Sequence, residues 1–117
     1  MKVVMMILEA PELIASRGGP AGQAYFDAWK AYGGVVAGKL VGGNVLAGPD
    51  QGVTLRVRDG QRQIQDGPYA DSKEALGGYM VFEVESMDEA LELAAACPAV
   101  AEGAVELRPV IAMPGPG

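Results

Sequence analysis

Charged and hydroxylated side chains recur at alternate positions along three apolar stretches of this chain. Thr54 and Arg56 alternate with Val53, Leu55 and Val57; Tyr79 and Glu83 flank Val81; Glu106 and Arg108 bracket Leu107. Residues two apart in a β-strand share a face, so these six side chains can meet on one surface of a sheet. Arg56 and Arg108 would then suit a small carboxylate or an enolate, because a guanidinium grips such groups through parallel N–H donors. The candidate base is Asp66, in the sequence Asp66-Gly67-Pro68-Tyr69. A carboxylate can take up a proton near neutral pH if burial raises its pKa. Tyr69 can add a hydroxyl or a ring to stack on a flat ligand. Each of these has a plainer reading. Glu83, Glu106, Arg56 and Arg108 also make ordinary cross-strand ion pairs that fix register, and Asp-Gly-Pro is an ordinary turn sequence.

Other chemistry is excluded by composition. The chain has no histidine, which removes the usual neutral-pH acid–base group and every Ser-His or Cys-His dyad. Its single cysteine, Cys97, allows neither an intrachain disulfide nor a cysteine-rich metal site, and reads as a buried structural thiol. The carboxylates are scattered and form no metal-ligand pattern. Gly42-Gly43 and Gly77-Gly78 lack the Lys and Ser/Thr of a phosphate loop, so no cofactor is implied. The net charge of −6 argues against nucleic acid and against an anionic membrane surface as partners. The opening run Met1–Leu8 is ended by Glu9 and Pro11 before it reaches signal-peptide or membrane-span length, so a cytoplasmic protein is expected.

The elements that must carry these residues follow from periodicity. Residues 2–8 read as a central strand. A loop with Pro11 and Gly18-Gly19 leads to a helix opened by Pro20, with Tyr25, Ala28, Trp29 and Tyr32 on one face and Gly33-Gly34 as its stop. Residues 35–46 form a strand bent at its glycines, and 53–58 alternate cleanly. Asp59-Gly60 is a two-residue hairpin signal. Residues 71–76 read as a short helix capped by Asp71 with Glu74. Residues 78–85 form a strand, and Ser86 with Glu89 is a capping box for the second main helix, which Pro98 ends. Residues 104–112 form the last strand. One domain spans 1–112, and 113–117 is a frayed tail.

This order, with the hairpin as an elaboration, is an α+β fold: a ferredoxin-like antiparallel sheet with two main helices on one face. Val3, Met5 and Ile7 occupy one face of the first strand; Val4, Met6 and Leu8 occupy the other. Two helices cover one face only. A second copy of the sheet is the simplest cover for the other, giving a homodimer paired as a dimeric α+β barrel. The polar set would then lie in a cleft between facing sheets.

Residues 53–111 resemble the DGPF subgroup of the YCII-related family. The resemblance rests on Asp66-Gly67-Pro68, Gly77-Gly78, Glu83, Pro98 and Glu106 with Arg108-Pro109; Tyr69 stands where that subgroup has phenylalanine. It implies the same dimeric α+β barrel. Some members of the family are proposed enzymes with a His-Asp pair, and this chain lacks the histidine. The resemblance also implies, by association only, a link to extracytoplasmic-function sigma factors. Two functions therefore stand at this level: a dimer that binds a small carboxylate or enolisable molecule with acid–base chemistry, or a non-enzymatic regulatory protein that meets a partner through its acidic surface or the hairpin at Asp59-Gly60.

Overall fold

In the computed structural model, which describes residues 1–68 and 73–114, β1 (Lys2–Glu9) sorts its side chains by parity. Val3, Met5, Ile7 and Glu9 are buried, while Val4, Met6 and Leu8 on the other face are half-buried. β1 lies between β5 (Ala75–Glu83) and β6 (Ala104–Pro109), and β2 (Leu40–Val45) flanks β5. The order β2-β5-β1-β6 is antiparallel at every step, which is the ferredoxin-like arrangement.

Between β1 and β2 lie a short helix α1 (Pro11–Ala15), a 3-10 turn at Pro20–Gly22 and the long helix α2 (Gln23–Val36). After β5 come α3 (Met87–Ala95) and the single turn α4 (Ala99–Glu102). Val3, Met5, Phe82 and Val36 are fully buried, and Ala90, Ala94 and Ala99 keep the helical side of this core thin enough for close approach to the sheet. Tyr32 on α2 donates its hydroxyl to the Leu93 carbonyl at 2.7 Å, tying the two main helices together. Cys97 is a buried thiol, pushed up to about 11 by burial. The Ser86 hydroxyl caps α3 by accepting from the Glu89 N–H, while the Glu89 carboxylate accepts from the Glu85 N–H.

The sequence reading of several boundaries needs correction. α2 passes through Gly33-Gly34 and ends at Val36, because Tyr32 and Val36 continue its buried face. That burial outweighs about 1 kcal/mol per helical glycine. The expected helix at 71–76 conflicts with the strand at its end: Ala75 and Leu76 pair with Glu9 and Leu8 and so open β5, while 71–72 lie outside the described residues. The last strand stops at Pro109 instead of Ala112, with Val110 making the final backbone bond to Lys2.

β3 (Val53–Arg58) and β4 (Gln61–Asp66) form a separate two-stranded sheet. Asp59 and Gly60 both have positive φ, as the expected hairpin turn demands. Among the described residues, no helix is long and apolar enough to cross a membrane.

Candidate functional site

The parity that buries Val3, Met5 and Ile7 also buries Glu9, which ends β1 on the helix-covered side. Glu9 is 5% exposed and is the one buried charged side chain among the described residues. An ionised carboxylate in that position is costly unless it is paired and hydrogen-bonded. Tyr25, from the first turns of α2, donates its hydroxyl to Glu9 Oε2 at 2.5 Å. Arg17 Nη2 stands 3.5 Å from Glu9 Oε1. The same guanidinium donates to the Gly77 carbonyl at 2.9 Å and to the Leu46 carbonyl, so it joins the α1–α2 connection to β5 and to the segment after β2.

Local backbone structure makes room for this cluster. The register of β1 against β5 shifts between Ile7 and Leu8, so Gly77 is the extra residue of a β-bulge. A Cβ on Gly77 would lie 1.9 Å from Glu9 Oε1. The absent side chain leaves the space that the carboxylate occupies. Gly22 acts likewise in the connection that carries Arg17: a Cβ there would meet the Ser16 carbonyl at 2.3 Å.

Glu9, Arg17 and Tyr25 open on a cavity of about 450 Å³ between α2 and the sheet. Its walls are mostly apolar, with Ile7, Leu13, Phe26, Trp29, Val45 and Met80 among them. The Trp29 ring stands edge-on to Tyr25 at 6.2 Å and to Tyr32 at 5.5 Å, which fixes the aromatic wall. Burial and the bond to Glu9 push the Tyr25 phenol above its ordinary range, so it remains a donor at neutral pH. The arrangement is a carboxylate in a largely apolar chamber, with one oxygen steadied by a phenol. It can accept a hydrogen bond or a proton from a ligand that excludes water. Among the described residues, no group of three or more His, Cys, Asp or Glu side chains is placed to hold a metal ion.

The residues singled out from sequence lie elsewhere, except for Tyr79. Tyr79 borders the cavity through β5, but it pairs with Met6 on the open face of the sheet, where its hydroxyl accepts a bond from the Asn44 amide at 2.9 Å. Glu83 pairs with the Met1 amino group at 2.8 Å, and that hydrogen bond holds its carboxyl below the usual range. Glu106 and Arg108 pair with each other on the open face of the sheet. Arg56 and Thr54 lie on the hairpin, and Asp66 ends β4, exposed. The Thr54 hydroxyl and the Gly67 N–H close the hairpin root, donating respectively to the Gly67 and Gly52 carbonyls. Gly67 has φ +92°, a conformation that explains glycine in this turn. Tyr69 lies outside the described residues. Glu9, Arg17 and Tyr25 escaped sequence reasoning. The available signal was Glu9 continuing the buried odd-numbered series Val3, Met5, Ile7.

Comparison with known proteins agrees with this architecture. Over 60 residues the chain is 40% identical to an uncharacterized protein of Rhizobium meliloti (strain 1021). That match covers 51% of this chain and 48% of the relative, so it spans about half of the relative's length. The fold is similar to that of 5-chloro-2-hydroxyhydroquinone dehydrochlorinase (TftG) from Burkholderia phenoliruptrix AC1100, solved in complex with 2,5-dihydroxybenzoquinone. The TM-score is 0.56 at 18% identity, over 95% of this chain and 94% of the other. Residues 1–114 match the YCII-related domain, and the chain belongs to that family.

Proposed function

We propose that this protein binds a small, flat, hydroxylated or enolisable molecule in the chamber beneath α2, with Glu9 as its proton acceptor. The observation that carries this reading is the buried Glu9 carboxylate on the wall of a largely apolar 450 Å³ cavity. A buried acidic group in a cleft is a frequent mark of a functional site. Arg17 is already engaged by two carbonyls and by Glu9, which disfavours a carboxylate as the buried end of the ligand. A neutral O–H, or a C–H beside a carbonyl, meets Glu9 without charge repulsion. Proton transfer to Glu9 and back would then drive enolisation or a related rearrangement, with the Tyr25 hydroxyl donating to the ionised carboxylate and so favouring return of the proton to the ligand. That a protein of similar fold has been solved with a dihydroxybenzoquinone makes ring hydroxyls a sensible first choice.

The acting form in this reading is a homodimer. Val4, Met6, Leu8 and Val81 line the open face of the sheet, and a second copy would cover them.

The test is calorimetric titration with hydroxylated ring compounds, 1,3-dicarbonyls and simple carboxylates against wild type, Glu9→Gln and Arg108→Ala. Hydroxylated or enolisable compounds should bind wild type and Arg108→Ala equally, and Glu9→Gln at least about tenfold more weakly, the loss of one charge-assisted hydrogen bond. Equal affinity for wild type and Glu9→Gln would refute the assignment. A preference for carboxylates lost in Arg108→Ala would move the site to the open face.

A further inference from the structure

The β3–β4 hairpin stands apart from the rest of the molecule. The chain's radius of gyration is 16.2 Å, where a compact domain of this length has about 13 Å. β3 and β4 pair only with each other. An isolated two-stranded ribbon is marginal in water and needs a further layer to be stable.

One face of this arm has the composition of an interior. Val53, Leu55, Val57 and Ile64 are 65%, 53%, 54% and 61% exposed. The register sets Leu55 opposite Ile64, Val53 opposite Asp66 and Val57 opposite Arg62, so all six share that face. The apolar stripe exposes roughly 400 Å², the size of the largest apolar patch on a typical monomer, and such patches are often functional. Its two ends are oppositely charged: Asp66 at the root and Arg62 toward the tip, about 13 Å apart on β4.

That pattern is self-complementary. If two arms stack face to face about a two-fold axis through the Leu55–Ile64 pair, their tips point in opposite directions and β4 lies over β4. Ile64 then meets Ile64, Leu55 meets Leu55, and Val53 meets Val57. At each end, Arg62 of one copy faces Asp66 of the other. A partner of another sequence would have no reason to match both the spacing and the reversal of charge. We propose that the β3–β4 arm is a self-association surface that packs on the same arm of a second copy, with Arg62 and Asp66 fixing its register. This contact is separate from the open face of the main sheet and from the Glu9 chamber.

A charge-swap series followed by sedimentation velocity tests it. Arg62, Asp66 and Leu55 are exposed, so substitutions there leave the fold intact, which far-ultraviolet circular dichroism checks for each variant. Arg62→Asp and Asp66→Arg each set like charge against like and should weaken self-association at least tenfold. The double variant R62D/D66R restores opposite charges at both ends and should return the association to near the wild-type value. Leu55→Glu should abolish this contact outright. A wild-type protein that sediments as a monomer at every concentration overturns the proposal, as does association indifferent to the single swaps or left unrestored by the double. Val81→Glu separates the surfaces: association lost there but untouched in the arm variants would leave the sheet-face dimer standing and remove the arm.

Discussion

Glu9 and Glu106 lie one strand apart on the same sheet and differ in almost everything that matters chemically. Glu106 is on the open face of β6, two residues from Arg108, its ion-pair partner. Their side chains are 45% and 71% exposed, so water and salt screen the pair. Glu9 faces the helices, is 6% exposed at its side chain, and has its cation at 3.5 Å with a phenol closer than that cation. Exposed pairs have freely available solvent as an alternative partner. Glu9 has only what the fold supplies, and any ligand entering the chamber becomes part of that supply. The proposed function rests on that difference: a charge in a layer otherwise filled by apolar side chains must be met by designed partners, whereas charges gathered on a solvated surface need none.

The same contrast runs along β5, and the largest expected effect lies there. Phe82 is fully buried under the helices, whereas its neighbour Val81 faces the open side and is half-buried. Phe82→Ala should cost about 3–5 kcal/mol, read from the midpoint of urea unfolding. Val81→Ala should cost no more than about 1–2 kcal/mol in the monomer. A Val81→Ala penalty that grows with protein concentration would mean that a second copy buries this face.

Gly77→Ala should come next, at roughly 1–3 kcal/mol of overpacking. The new Cβ would lie 1.9 Å from Glu9 Oε1 and 3.2 Å from Arg17 Nη2, so it also displaces the carboxylate from the cavity wall. Ligand stabilisation in a thermal-shift assay should vanish with it. Gly33→Ala is the matched control, in the last turn of α2 with nothing within 4 Å of its Cβ. It should stabilise by up to about 1 kcal/mol. Equal effects at the two glycines would mean that the bulge does not shape the site.

These differences separate what local sequence encodes from what only the folded chain brings together. The ferredoxin-like order was legible because it depends on period-two alternation and on turn signals such as Asp59-Gly60, which are local. The α2 boundary was misjudged because Gly33-Gly34 is a local stop signal overruled by the distant packing of Tyr32 and Val36. The Glu9 cluster was missed for a related reason. Its members come from positions 9, 17, 25 and 77, and a bulge in one strand plus a tight connection before α2 bring them together. Nothing in the spacing of those residues marks the meeting. Glu106 and Arg108 stood out because strand periodicity alone makes them neighbours, which is also why their pairing says little about function.

The smallest expected effect follows from that last point. A double-mutant cycle on Glu106→Gln and Arg108→Ala isolates the pair from other changes at either residue. With both side chains well exposed and joined along one strand, the coupling should be about 0–1 kcal/mol and should shrink as salt is raised. A second copy seated over the open face would alter this: the pair would be desolvated, its coupling would rise above that range, and salt would matter less. Measured over a range of protein concentrations, a coupling that stays small leaves the pair on a solvated surface. A coupling that grows with assembly assigns Glu106 and Arg108 to a contact between copies, distinct from the chamber that Glu9 serves.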